Sequence, residues 1–576
     1  MPRANDEVEE LLQEYADLIS ISGGDAFKAR AYEKAARSVG GYHRDISGLD
    51  ERGLCRIDNV GKSIAEKVLE YFETGTIHAL EDLRAEVPAG VRALIGIPTL
   101  GPKKAMKLYH ELHISSPEEL MDALHEQRLR EVPGFGPKTE ENLLQGIQHL
   151  QQSGERIQLG VAVDLAEEML GELRALKAVR RCEYAGSLRR MRETIGDIDL
   201  LVASEDADPV MEAFGSMKYV ERVLASGETK SSVLTTKGLQ VDLRVVEPAV
   251  WGAALQYFTG SKAHNVRIRE MAVRKGLKLS EYGLFRAKSG KLVVAETEEE
   301  VYERLGLAWI PPTLREDRGE VQAALDDALP RVVQERDVKG DLHTHTNLTD
   351  GLASLEEMIE AARGRKLAYY AVTDHAELLY MQRMTREKAL AQRKRIRALE
   401  RKGDMVILHG SELNIQPDGS LDWDEEFLAG FDVLVASVHS HFNQSKADMT
   451  RRIIRAMEHP AVNIIGHPTG RILGRRPGIE FDLDAVFDAA ARTGTALEIN
   501  SFPDRLDLRD EHVQWAREHG VRFAIDTDSH STVHLPHMRF GVATAQRGWV
   551  TKAEVINTYP LGRLRRFLAK GRLDRT

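Results

Sequence analysis

The chain has 576 residues, enough for several domains that each bury their own core. Hydrophobic residues at 42% and charged residues at 29% make an ordinary globular composition, and no run approaches the roughly 18 apolar residues a membrane span requires. A net charge of −11 argues against indiscriminate binding of nucleic acid, so any such contact must come from local geometry, backbone amides or bridging cations.

Met1–Ser20 is acidic and amphipathic, without the basic and apolar regions of a secretion signal. The two cysteines, Cys55 and Cys182, lie far apart, and a cytoplasmic location is expected. Three segments then resemble one another: Ile57–Ala65 (IDNVGKSIA), Ile97–Ala105 (IPTLGPKKA) and Val132–Lys138 (VPGFGPK). Each sets an apolar residue, a Gly and a Lys at the start of an apolar-periodic helix, the helix-hairpin-helix pattern. Its tight turn exposes N–H groups that bind a DNA phosphate without reading sequence. The candidate contacts are Val60, Gly61 and Lys62, then Leu100, Gly101 and Lys103, then Phe135, Gly136 and Lys138. One such turn also marks ordinary helix connections; three in tandem favour DNA binding.

From about Gly160 helices mix with short β-branched strands. Gly186–Val202 reads GSLRRMRETIGDIDLLV. Side chains alternate along a strand, so Asp197 and Asp199 project from one face about 7 Å apart. Carboxylates so placed can bridge hard divalent cations, whereas an Asp-x-Asp standing alone is more often a solvated face. Here Gln240–Val246 reads as a second strand with Asp242 among apolar neighbours, a third carboxylate that needs a partner or a metal. The Gly186-Ser187 turn can offer N–H groups and a hydroxyl to phosphate, with Arg189 and Arg190 close behind.

Charged residues 317–337 read as a linker. From Val338 on, apolar strands such as Leu367–Val372, Val433–Ser437 and Val462–Ile465 alternate with helical stretches, the pattern of an α/β barrel. Metal-type ligands follow many of these strands: His343, His345, Asp350, His375, Glu412, His439, His467, Asp528 and His530. A single His at a strand end is usually structural; nine such positions point to metals.

Taken together, the chain resembles a bacterial family X DNA polymerase with a C-terminal PHP phosphoesterase domain, over nearly its whole length. The resemblance implies a multidomain α+β and α/β protein. Its expected parts are a lyase-type helical domain at 1–90, a fingers-like helix-hairpin-helix domain at 91–158, a nucleotidyltransferase palm at 159–250, a thumb at 251–316 and a distorted (β/α)7 PHP barrel at 338–576. It also implies that Tyr257, Phe258, Gly260 and Asn265 line the nucleotide pocket, that Gly186, Ser187 and Arg190 hold the triphosphate, and that Arg269 touches the template side. Lys262 stands where animal repair polymerases usually carry Asp, and could reach the triphosphate instead. The nine C-terminal ligands resemble the full set that holds three metals in the PHP family.

The expected cofactors are two Mg²⁺ or Mn²⁺ at Asp197, Asp199 and Asp242, and up to three Mn²⁺ or Zn²⁺ in the barrel. The expected partners are gapped or primer-template DNA and deoxynucleoside triphosphates; no membrane partner is expected, and the protein is expected to be a monomer. The expected activities are gap-filling synthesis in base excision repair and 3′→5′ exonuclease action. Lys67 is the candidate Schiff-base lysine for 5′-deoxyribose-phosphate removal, and AP endonuclease action is a further activity of the same kind. Two alternatives stay open: a non-DNA nucleotidyltransferase fused to a small-molecule phosphatase, and a non-catalytic DNA-end scaffold.

Overall fold

Apolar residues at helical spacing fold the N-terminal region of the computed structural model into helices that share one core. Helices α1 (Ala4–Ile21) and α2 (Ala26–Gly40) pack together, followed by α3 (Lys62–Thr74) and α4 (Pro102–Leu112). Leu12, Tyr15, Tyr32, Ile64, Val68 and Leu108 interlock in that core. The structure describes residues 4–22, 25–40, 42, 45–57, 59–86, 91, 94, 100, 102–136, 139–140, 143, 156–379, 384–400 and 405–569. Two compact units result: Met1–Ile157 with Ala162–Arg190 and Thr194–Asp327, and Ala328–Thr576 with Gln158–Val161 and Met191–Glu193.

In the first unit a five-stranded sheet is built from β1 (Arg181–Tyr184), β2 (Asp197–Ala203), β3 (Val220–Ser226), β4 (Lys230–Thr235) and β5 (Gln240–Val246). The strand order is β1-β2-β5-β4-β3, and only the β2–β5 pairing is parallel. The turn expected at Gly186-Ser187 is a single helical turn, α5 (Gly186–Arg189). Helices α6 (Trp251–Thr259) and α7 (Lys262–Arg274) follow, then an antiparallel sheet of β6 (Leu277–Ser280), β7 (Gly283–Arg286) and β8 (Leu292–Val294) and helix α8 (Glu298–Arg304).

The second unit carries seven parallel strands in sequential order: β9 (Gly340–Asp341), β10 (Tyr369–Val372), β11 (Val406–Asn414), β12 (Val433–Ser437), β13 (Ile464–Ile465), β14 (Ala496–Asn500) and β15 (Phe523–Asp526). A parallel bridge between Thr344 and Ser529 joins the chain just past β9 to the chain just past β15, so the barrel nearly closes. Its strands are buried almost throughout, as expected of parallel strands covered on both faces. Within 317–337, Glu320 is buried against His264 at 2.6 Å, and Val333 lies in the barrel-unit core with its N–H bonded to the Val550 carbonyl at 2.9 Å.

Among the described residues, no helix is long and apolar enough to cross a membrane.

Candidate active sites

Alternation along β2 leaves Asp197 and Asp199 on one face while Ile198 and Leu200 are buried on the other. In the parallel pairing Asp199 stands opposite Asp242, which adds the third carboxylate. Burial, then repulsion from Asp197 and Asp242, pushes the Asp199 carboxyl up to about 7. Gln240 Nε2 donates to Asp242 Oδ1 at 2.7 Å, and Lys230 Nζ lies 3.7 Å from Oδ2. Gly186 has φ +56° and lies against the Asp199 carboxylate, where a Cβ would collide. Three carboxylates around a glycine too close for any side chain are an oxygen donor set that fits Mg²⁺ or Mn²⁺.

Arg189 at the end of α5 and Arg190 just after it are both engaged. Arg189, expected near phosphate, instead donates twice to Glu298 at 2.9 and 2.8 Å and once to Thr259 Oγ1 at 2.7 Å. Arg190 donates to the Thr259 carbonyl at 2.6 Å and to Glu316 at 3.1 Å. Ser187 is half-buried on α5. Tyr257 and Phe258 end α6 with their rings edge to face at 5.2 Å, and Gly260 follows at φ +69°. Asn265 is nearly buried; its amide donates to the Tyr257 carbonyl at 2.7 Å and accepts from Gln256 at 2.7 Å. Lys262 and Arg269 are exposed on α7, with Arg269 Nε donating to the Asn265 carbonyl at 3.2 Å.

In the helical region, the side chains of Val60, Leu100 and Phe135 lie in the core, and the N–H groups of Val60 and Phe135 donate to the Ile57 and Val132 carbonyls, both at 3.1 Å. Gly61 is the N-cap of α3, and Lys62 lies 3.7 Å from Glu51. Gly136 accepts from the N–H groups of Thr139 and Glu140 at 2.8 and 3.0 Å. Gly101, Lys138 and the side chain of Lys103 lie outside the described residues. Lys67 is half-buried on α3, with Nζ 6.0 Å from the centre of the Tyr32 ring and 3.5 Å from the Ser63 carbonyl.

The nine barrel residues come together at the C-terminal ends of the strands. Ligand atoms of His345, Asp350, His375 and His530 lie within 4.8 Å of one another, as do those of His343, His345 and Asp528 and those of His375, Glu412 and His439. His467 joins through Glu412, its Nε2 3.0 Å from Oε1. Glu412 is fully buried with His375 Nδ1 at 2.8 Å and His439 Nε2 at 3.0 Å, yet neither of its oxygens has a hydrogen-bond partner. The Nδ1 atoms of His345, His375 and His467 are likewise buried and unbonded. Buried polar atoms left unsatisfied in such a cluster fit a multinuclear metal centre, and the mixed His and carboxylate donors suit Mn²⁺ or Zn²⁺.

Electrostatics within this cluster split the histidines. Burial, then His530 and His375, lowers His345 to about 4, leaving it neutral for ligation. Burial also opposes charge on His375 and His530, but Glu412 with Asp350, and Asp350 with Asp528, outweigh it and hold them at about 10 and about 9. The backbone of His467 (φ +25°) and of Asp528 (φ +51°) enters the left-handed region, strain that clusters at functional sites.

Supporting residues escaped the sequence reading. Glu498 Oε1 accepts from His343 Nδ1 at 2.7 Å while Oε2 accepts the His467 N–H. Asn414 Oδ1 holds His439 Nδ1 at 2.8 Å and is itself fixed by Asp422. Asn500 donates to Asp528 at 3.1 Å. Polar residues alternating through the wholly buried β14, Glu498 and Asn500, were the available signal.

Similarity to known proteins follows the same division. A helix-hairpin-helix domain model matches residues 3–77, a SAM-like helix-hairpin-helix tandem 91–148, a DNA polymerase beta thumb 254–316 and a PHP domain 341–502. The DNA polymerase/3′-5′ exonuclease PolX of Bacillus subtilis (strain 168) is 37% identical over 97% of this chain and 98% of its own length. The chain belongs to the family X DNA polymerases with a C-terminal PHP domain. The family X resemblance alone extends to DNA polymerase lambda of Rattus norvegicus, 26% identical over 51% of this chain and 53% of that protein. A probable phosphatase of Thermoanaerobacter sp. (strain X514) is 29% identical over 40% of this chain and 93% of its own length.

Proposed function

We propose that this family X polymerase fills short DNA gaps in base excision repair and removes 3′-terminal nucleotides in its PHP barrel. The observation that carries the reading is the joint presence of the three-carboxylate face and the nine clustered His and carboxylate residues of the barrel in a chain aligned end to end with a polymerase/exonuclease. In the palm, Asp197, Asp199 and Asp242 would hold two Mg²⁺ or Mn²⁺; Ser187 and Arg190 would bind the triphosphate. Arg190 must first leave Glu316 and the Thr259 carbonyl. Tyr257, Phe258 and Gly260 would crowd the sugar, and Asn265, pinned by Gln256, would meet the incoming nucleotide at a fixed angle. Bound divalent cations supply Lewis-acid activation of the attacking oxygen and charge neutralisation of the leaving group in both sites. In the barrel the nine ligands would hold up to three Mn²⁺ or Zn²⁺, with Glu498 and Asn414 fixing the imidazoles.

Extension and degradation of a gapped primer, measured for two separate variants, test this. Asp199→Ala is expected to abolish extension and keep degradation; His343→Ala with His345→Ala is expected to do the reverse. Wild-type extension by the first variant, or undiminished degradation by the second, overturns the corresponding half.

The barrel's resemblance to a probable phosphatase favours a second reading, hydrolysis of small phosphomonoesters. Turnover of p-nitrophenyl phosphate with none of 3′-ended DNA would select it. For Lys67, nucleophilic attack on an incised abasic site is proposed; borohydride trapping that survives Lys67→Ala would assign that chemistry to another amine.

A further inference from the structure

A cavity of about 390 Å³ lies beside β9, and none of the nine metal-type residues forms its wall. Arg336, Arg365 and Lys366 line it and are all exposed. Val338, Leu367, Leu535 and Met538 provide apolar lining, with Leu535 and Met538 buried. Its two carboxylates are occupied by internal donors. Glu335 accepts from Arg365 at 3.0 Å, and the buried Asp341 accepts from both the N–H (3.1 Å) and the hydroxyl of Thr527. The cavity therefore combines three cations against one exposed carboxylate with a wall of aliphatic carbon.

That combination selects an organic anion with a flat, apolar body. Guanidinium groups match the planar spacing of phosphate oxygens, lysine adds a point charge, and the volume falls within the roughly 300–1,000 Å³ of small-molecule sites. We propose that this cavity binds a deoxynucleoside monophosphate, with the phosphate at Arg336, Arg365 and Lys366 and the base against the Leu367, Leu535 and Met538 side chains. The choice of nucleotide rests on the exonuclease reading above, because removal of a 3′-terminal nucleotide by hydrolysis releases this molecule. The site itself rests only on the cavity and its lining.

Equilibrium dialysis of the full chain against radiolabelled dAMP in EDTA tests binding without catalysis. Saturable binding is expected, weakened at least tenfold by Arg336→Glu with Lys366→Glu and to a smaller degree by Arg336→Ala. Lys288→Glu, at an exposed position outside the cavity, is expected to leave it unchanged. These cavity substitutions lie at exposed positions, and a thermal melt checks that the fold survives. Absence of saturable binding, binding unaltered by the charge reversal, or binding lost equally in Lys288→Glu each overturns the proposal. None of these results bears on DNA degradation, which is measured separately with metal present.

Discussion

Asp199 is the carboxylate on which the palm reading turns, and its protonation can be followed directly. In the folded chain burial and two neighbouring carboxylates hold it at about 7, against an ordinary value of 3.8. The folded state thus keeps its proton more tightly than the unfolded chain. Stability from this group is greatest below about pH 4, declines as pH rises from about 4 to about 7, and stays at its lowest above that. Thermal melting in EDTA is expected to show this decline, Asp199→Asn to flatten it, and added Mg²⁺ to offset it near neutral pH; an unchanged profile in the variant would refute the assignment. In the barrel, Glu498→Gln keeps the shape but removes the charge that orients His343. Loss of such a partner costs about 10- to 100-fold in metal affinity. Mn²⁺ titration of the variant is expected to show that loss, with primer extension unaltered.

Helix α8 ties α5 to the thumb through one carboxylate. Glu298 stands in its first turn, almost buried, and accepts from Arg189 and from the fully buried Arg315 at 2.6 Å. Burial alone would raise Glu298, but Arg315 and Arg189 overcome it and hold it at about 2. Glu298→Ala leaves two guanidinium groups without their partner, one of them fully buried, a loss of about 3–5 kcal/mol for a broken buried pair. A fall of that size in the unfolding free energy extrapolated from urea denaturation is expected. Normal stability would mean that water reaches the pair and screens it. The same helical scale explains why the helix-hairpin-helix segments were legible in advance: Val60, Leu100 and Phe135 are core residues, and a core residue next to a glycine at a helix start leaves a sequence signal.

Over the whole molecule, the barrel concentrates nine ionisable side chains in a nearly closed strand cylinder, a costly arrangement that bound cations would relieve. Metal that binds only the folded barrel adds about 2.7 kcal/mol at a concentration of 100 times Kd. Pulse proteolysis of the full chain is expected to show the barrel unit protected by Mn²⁺, with no protection in His343→Ala with His345→Ala. Equal protection in that variant would place the stabilising cation elsewhere.

The sequence alone determined the features that a local period or a repeated motif can encode. Strand alternation set Asp197 and Asp199 on one face, a second strand supplied Asp242, and the order of His and carboxylate residues after apolar strands outlined the side chains that the barrel gathers. Tertiary structure alone decided the partners. His343 meets Glu498 across 155 positions of sequence, and Arg189 meets Glu298 across 109. No period links residues so far apart. The barrel's closure brings the first pair together, and the packing of both α5 and α8 against α6 brings the second. For the same reason Arg189, which reads from its neighbours as a phosphate ligand, is spent on holding the fold.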